Sequence, residues 1–266
     1  MISIVMAYYN RKKLFYETLK SINRSAYKDI EVIVVDDASC EEDRVEDLMG
    51  LFSFLRVIRI ENKDKWYYNS CVPFNIGISQ SKGNIIILQN PECLHVHDVL
   101  SYIAKEVNDS NYVTISAYQI GKAITPMIPQ IIEKGILLDF FECFPQQSYG
   151  KNNNIDWDDI GWYNHSKYRP FAYHFCSAMT KKNMDKFKGF DERFAHGIGF
   201  EDAEFIDRVR SSKLQVVISD EVSVIHQWHP SVYDVLKDST NRKKYRHNSA
   251  LYLIIKDENL NKNLSV

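Results

Sequence analysis

Short apolar runs punctuate the first ninety positions at regular intervals. Residues 2–7 (ISIVMA), 31–35 (EVIVV), 55–60 (LRVIRI) and 84–88 (NIIIL) are each too short for a helix and carry their apolar residues in blocks. Val32 to Val35 is a continuous run of β-branched and valine side chains, the signature of a strand buried on both faces of a parallel sheet. Between these runs the spacing changes to that of a helix. Leu14, Phe15, Leu19 and Ile22 predict a helix over Lys12–Arg24, and Val45, Leu48, Met49 and Phe52 predict a second. Pro73 opens a short helix through Phe74, Asn75 and Ile78, and Gly83 ends it. Strand and helix alternate with crossovers long enough for βαβ units, so the expected class is α/β with a doubly wound, mostly parallel sheet.

The second half is less regular. Val96, Val99, Leu100, Ile103 and Val107 predict a helix, and Tyr112–Tyr118 a strand. Gly121–Trp157 mixes an apolar helical piece with polar loop residues. Phe171–Met179, Leu214–Ser219 and Val222–Ile225 predict strands. Phe205, Ile206 and Val209 define one face of a helix over Glu201–Arg210, and Tyr245, Ser249, Tyr252 and Leu253 a final one. With no internal repeat and no low-complexity linker, a single domain over 1–266 is expected. Its parts would be a ligand-binding half at 1–95, a second binding half at 96–230 and a helical extension at 231–266.

Composition narrows the classes. A formal net charge of −2 over 266 residues leaves no electrostatic footprint for nucleic acid. No apolar run reaches the ~20 residues that span a bilayer, and Met1 leads straight into a strand-like run, with no signal peptide expected. Five scattered cysteines without a CxxC pair fit neither a zinc ribbon nor a disulfide framework, and so fit a reducing, cytoplasmic location. The basic run Arg242-Lys243-Lys244 with Arg246 is either a solvated helix face or a contact for anionic headgroups at a membrane surface.

Candidate chemistry begins at Asp36 and Asp37, at the carboxyl end of the second strand, where open α/β sheets bind ligands. Two acids there accept from a ribose hydroxyl or a base N–H; equally, Asp and Ser at that position cap the following chain. Tyr8-Tyr9-Asn10-Arg11 is the turn after the first strand, and it contains none of the glycines that a triphosphate-holding nucleotidyltransferase loop needs.

The order ISIVMAYYNR, EVIVVDDAS, Asn75-x-Gly77 and then GFDERFAHGIGFEDAEFIDR at Gly189–Arg208 resembles family-2 glycosyltransferases of the GT-A fold, over most of residues 1–230. That fold is Rossmann-like, a central mostly parallel sheet flanked by helices that binds nucleotide-diphospho-sugars. The resemblance implies a nucleotide site at Ala7, Tyr9, Asp36, Asp37 and Asn75, with an aspartate accepting from the N3–H of uracil and therefore a UDP-linked donor. It implies inversion at the anomeric carbon by one displacement, which needs a carboxylate to take the acceptor's proton. Asp202 is then the base and Glu201 its neighbour in acceptor binding; the bland alternative is a pair of acids at a helix N-terminus. The acceptor would be a hydroxyl of a glycan or glycolipid, as in surface-polysaccharide synthesis. Trp157, Trp162 and Tyr163, with His165 and Tyr173 nearby, could stack on sugar faces, or simply pack.

One departure matters. Family members carry Asp-x-Asp after the fourth strand, holding a divalent cation, Mn²⁺ or Mg²⁺, against the diphosphate. Here Gln89-Asn90-Pro91-Glu92 stands in its place, leaving one carboxylate. Glu92 with His226, after the strand VSVI, makes a carboxylate–imidazole metal set. Arg11 is a diphosphate contact or an exposed charge at a helix start. The alternatives are a metal-independent enzyme that neutralises diphosphate with Lys or Arg, and a non-catalytic nucleotide-sugar or glycan-binding module with a degenerate metal site.

Overall fold

The computed structural model describes residues 1–149, 160–230 and 235–263. Along the chain run β1 (Ile2–Tyr8), α1 (Lys12–Asn23), β2 (Ile30–Asp37), β3 (Leu55–Ile60), α2 (Cys71–Ser79), β4 (Ile85–Gln89), β5 (Cys93–His95) and α3 (Val99–Glu106). They are followed by β6 (Asn111–Gln119), α4 (Ile128–Glu133), α5 (Leu137–Glu142), β7 (Gly161–Asn164), β8 (Cys176–Thr180), α6 (Lys181–Phe187), α7 (Glu201–Arg210), β9 (Gln215–His226) and α8 (Ser239–Asn263). Among the described residues, one sheet of nine strands runs β3-β2-β1-β4-β8-β6-β9-β5, with β7 paired to β6.

The apolar blocks explain the parallel half. β1 pairs in parallel with both β2 and β4, and β2 with β3, so Ile4, Val32, Val34 and Ile87 bury one face against α1 and α3. Val5, Ile86 and Leu88 bury the other face against α2 and α7. Gly77 lets α2 lie directly on this face: a Cβ there would collide with Val5 Cγ1.

Strand direction fixes where the site forms. β8 is antiparallel to β4, β6 is antiparallel to β8, and β9 is parallel to β6. β9 therefore runs the same way as β1, β2, β3 and β4. The segments leaving all five strands, at Tyr9, Ala38, Glu61, Asn90 and Gln227, emerge at one carboxyl edge.

Three sequence expectations change. The helix expected around Val45–Phe52 is two 3₁₀ turns, Glu41–Asp43 and Glu46–Gly50. Asp43 is committed elsewhere: its carboxylate accepts from Lys12 N at 2.9 Å and its carbonyl from the Tyr8 hydroxyl at 2.6 Å. Val45, Leu48 and Phe52 still point inward. The two strands expected over 214–225 are one continuous strand, β9, whose register against β6 shifts between Ile115 and Ser116. The strand expected from Phe171 starts only at Cys176. Ala172 has φ 62°, and the carbonyls of Ala172 and Tyr173 accept from Tyr112 and Thr114 side chains. No helix among the described residues is long and apolar enough to cross a membrane.

Candidate active site

The first part of the site is a three-residue cluster. Glu92, three residues past β4, meets His226 at the end of β9 and His229 just beyond it. The three offer ligand atoms that all lie within 4.8 Å of one another. Both imidazole Nε2 atoms stand 3.1 Å from the same carboxylate oxygen, Glu92 Oε1. The tautomers follow from the other ring nitrogens. Gln119 spends its amide N–H on the carbonyl of Ile120, so its Oε1 faces His226 Nδ1 at 2.6 Å and can only accept. His229 Nδ1 faces the carbonyl of Pro230 at 2.9 Å, another acceptor. Both Nδ1 atoms therefore carry the proton in a neutral ring, and both Nε2 lone pairs point at an anionic oxygen. Burial pushes His226 below the ordinary imidazole range, against the pull of Glu92. Burial opposes the charge on Glu92, but its surroundings, the Arg11 guanidinium foremost, more than offset it and hold its carboxyl well below the usual range. Lone pairs converging on a carboxylate call for a cation between them. A carboxylate and two imidazoles, each imidazole oriented by a carbonyl acceptor, fit a divalent metal.

Arg11 reaches the same cluster. Its guanidinium lies 2.7 Å from Glu92 Oε2 and 3.4 Å from His229 Nε2, and its Nε donates to the Tyr9 carbonyl. Arg11 is thus neither a free surface charge nor remote from the Asp-x-Asp position.

The second part surrounds the end of β2. Asp36 has no solvent exposure; it accepts from Ser39 N at 2.9 Å and pairs with Arg59 at 2.9 Å. It closes the turn after the strand. Asp37 faces the edge instead, accepting from Lys65 Nζ and the Tyr67 hydroxyl, each at 2.7 Å. Lys65 also lies over the ring of Tyr9, which is 49% exposed. Ala7, paired with Val35, is half-buried beneath this group.

The third part is the acidic pair. The chain from Lys65 to Ser70 connects it to Asp37: Asn69 Nδ2 and Ser70 Oγ bond Glu201 at 2.8 and 2.9 Å. Phe200 immediately before α7 takes φ 72°, a left-handed conformation that costs a non-glycine residue roughly 1–2 kcal/mol. It starts the helix where Glu201 and Asp202 stand in the first turn. Burial, then the neighbouring Glu201 charge, pushes the Asp202 carboxyl up to about 7, although Ala203 N donates to it at 2.7 Å. Tyr173 lies close enough that, after burial, Asp202 is the next cause pushing its hydroxyl up to about 12.

Other expected residues are placed differently. Asn75 donates to the Phe190 carbonyl and to Glu192 at 2.9 Å each, and accepts from Phe190 N at 2.8 Å. Its amide joins α2 to the Gly189–Arg193 turn. Trp162 is 3% exposed, packed on Tyr118 and Phe141 with its N–H on Gln146, so it offers no face to a sugar. It packs in an apolar cluster with Tyr118, Ile120, Ile128 and Phe141, because β7 pairs with β6 there. Tyr163, its neighbour, points the other way: its ring stacks on Phe175 and meets the His226 imidazole edge-on at 5.0 Å. Trp157 lies outside the described residues. Sequence reading left His229 out of the candidate metal set and missed the Gln119 amide that orients His226. The H-x-x-H spacing of His226 and His229 at the end of a strand was the available signal for the first.

The family profile described as "Glycosyl transferase family 2" matches residues 3–185, more than half of the chain. The chain belongs to glycosyl transferase family 2. A second profile, "N-terminal domain of galactosyltransferase", matches residues 163–229, a stretch that holds Glu201, Asp202, His226 and His229. Chondroitin synthase of Escherichia coli is 27% identical over 225 residues, 77% of this chain and 31% of that protein. Glycosyltransferase GlyG of Streptococcus pneumoniae is 26% identical over 113 residues, 42% of this chain and 36% of that protein. The chain thus spans about a third of the length of these curated relatives. Among solved structures, the mannosyltransferase PcManGT from Pyrobaculum calidifontis, in complex with GDP-Man and Mn²⁺, superposes with TM-score 0.55 at 13% identity, covering 94% of this chain and 69% of that one. A fragment of S. aureus TarS gives TM-score 0.54 at 14% identity, covering 85% and 60%. These likenesses show that this family-2 chain has the GT-A fold.

Proposed function

We propose that this chain moves a sugar from a nucleotide diphosphate, a UDP-sugar, to a hydroxyl of a glycan or glycolipid acceptor, with inversion. The observation that carries the reading is the convergence of Glu92, His226 and His229 at the carboxyl edge of the sheet, beside the loops after β1 and β2. A diphosphate-binding cation belongs at that edge. The relatives support the donor class: TarS has been solved in complex with UDP, and PcManGT with GDP-Man and Mn²⁺.

Each residue has a task in this reading. Tyr9 stacks on the base and Ala7 leaves room under it. Asp37 accepts from the N3–H of uracil, since a carboxylate holding Lys65 and Tyr67 keeps lone-pair capacity. Asp36 holds the turn after β2 beside them, and Asn75 holds the turn at Phe190. A divalent cation on Glu92, His226 and His229 would supply positive charge against the departing diphosphate. Two imidazoles and one carboxylate suit Mn²⁺ better than Mg²⁺, which prefers oxygen ligands. Asp202 takes the proton of the acceptor hydroxyl as its oxygen bonds the anomeric carbon and the bond from that carbon to the phosphate oxygen breaks. Glu201, held by Asn69 and Ser70, fixes the acceptor beside it. Tyr163, against His226, borders the sugar.

The test is nucleotide release from a panel of UDP- and GDP-sugars with glycan acceptors. The wild-type protein should turn over one UDP-sugar. Asp202→Asn should lose turnover by about 10²–10⁴-fold while donor binding stays within a few-fold. Unchanged turnover in Asp202→Asn removes it as the base. Binding without turnover in the wild type favours a binding module.

A further inference from the structure

Arg11 occupies a position that a metal ion would also want. Its guanidinium NH1 is 2.7 Å from Glu92 Oε2 and 3.4 Å from His229 Nε2. Because His229 gives its Nδ1 proton to Pro230, Nε2 accepts from Arg11 with the same lone pair that a cation would need. The three-ligand set is therefore complete only when the guanidinium moves away. Charge points the same way. One carboxylate and two neutral imidazoles carry a single negative charge, which Arg11 balances in the free protein. A divalent cation on Glu92 would leave a net positive charge, with a second cation in contact and both partly removed from water. A diphosphate is the anion whose charge restores the balance. Arg11 is free to answer it. The side chain is 26% exposed, and among the described residues its other polar tie is a 3.2 Å bond from Nε to the Tyr9 carbonyl, in the loop proposed to hold the nucleotide.

We propose that Arg11 couples the divalent cation to the nucleoside diphosphate. In the free protein its guanidinium holds the place between Glu92 and His229; when the cation enters, it transfers to the diphosphate. The proposal rests on the metal reading of the cluster. It makes metal and nucleotide bind cooperatively, each weak alone, so an ion does not settle in the site before a donor is present. By linkage, the factor by which nucleotide tightens metal binding equals the factor by which metal tightens nucleotide binding.

The experiment is a Mn²⁺ titration followed by the paramagnetic resonance of free Mn²⁺, with and without UDP, on wild type, Arg11→Ala, Arg11→Gln and His226→Ala. Arg11→Gln keeps a neutral hydrogen-bond donor for Glu92, so it covers the case in which Arg11→Ala folds poorly. In the wild type, UDP should tighten Mn²⁺ binding by about tenfold or more. Both Arg11 variants should bind Mn²⁺ alone about tenfold more tightly than wild type, and the enhancement by UDP should shrink by a similar factor. Arg11 variants that bind Mn²⁺ alone no more tightly than wild type overturn the coupling role and leave Arg11 a fixed partner of Glu92. If His226→Ala binds Mn²⁺ as the wild type does in every condition, the metal reading itself fails, and the coupling role with it.

Discussion

At the scale of single residues, the site is built by withholding water and then supplying a chosen partner. Glu92 is buried and Asp202 half-buried, yet their carboxyls shift in opposite directions. Arg11 pairs with Glu92 and keeps it ionised despite its burial. Asp202 faces the charge of Glu201, and burial with that repulsion raises it to about 7. A base with that value is half ionised near neutrality, where proton transfer is most effective. Turnover should therefore fall below pH 7, because the protonated carboxyl cannot accept, and plateau above it; the pH dependence of kcat is the check, and an acid limb near pH 4 would contradict the assignment. Stability runs the other way. An aspartyl raised above its unfolded value of about 3.9 holds its proton preferentially in the folded protein. Its contribution is whole below about pH 4 and lost as pH rises through 7. Asp202→Asn removes that loss, so its melting temperature should match or trail the wild type at pH 5 and exceed it at pH 8.

Elements decide which of these residues can meet. The acidic pair was legible in the sequence because Glu201–Arg210 is one amphipathic helix, α7, with the same bounds in the structure. What holds its first turn was not legible. Glu201 is held by Asn69 and Ser70, some 130 positions earlier, and no local pattern announces such a pairing. Asn75 shows the same limit. Its spacing to Gly77 is a family signature, but its amide closes the turn at Phe190. Gly189 makes that closure possible, with φ +67° and a path that a Cβ would block by striking the Asn75 amide. Gly189→Ala should cost at least about 1–2 kcal/mol for the left-handed backbone alone, read as a lower midpoint in urea. A change below 0.5 kcal/mol would show that the turn is not held this way. β9 explains a different miss: polar Asp220 and Glu221 divide its sequence in two, while the backbone pairs with β6 on both sides of the register shift.

Across the whole molecule, the half made of alternating strand and helix could be read directly, since each buried parallel strand is a solid apolar block and each crossover is local. The order β3-β2-β1-β4 follows from that rhythm. The mixed half could not be read so closely. β5 has three residues, β7 four, and both pair with strands distant in sequence, so local periodicity carries little of their placement. Yet this half returns β9 to the edge where β1, β2 and β4 end, and so brings His226 and His229 to Glu92. In the proposed metal site, the one glutamate standing in place of an Asp-x-Asp would be joined by two histidines at the end of β9.

The central claim, that the edge holds a nucleotide diphosphate through a cation on Glu92, His226 and His229, is tested most directly by calorimetric titration of UDP. The titration is run in Mn²⁺ and in chelator, on the wild type and on His226→Ala. The account predicts that Mn²⁺ tightens UDP binding to the wild type by tenfold or more, about 1.4 kcal/mol, and that His226→Ala loses this gain while keeping the binding measured in chelator. Equal UDP affinity in Mn²⁺ and in chelator for the wild type would contradict it.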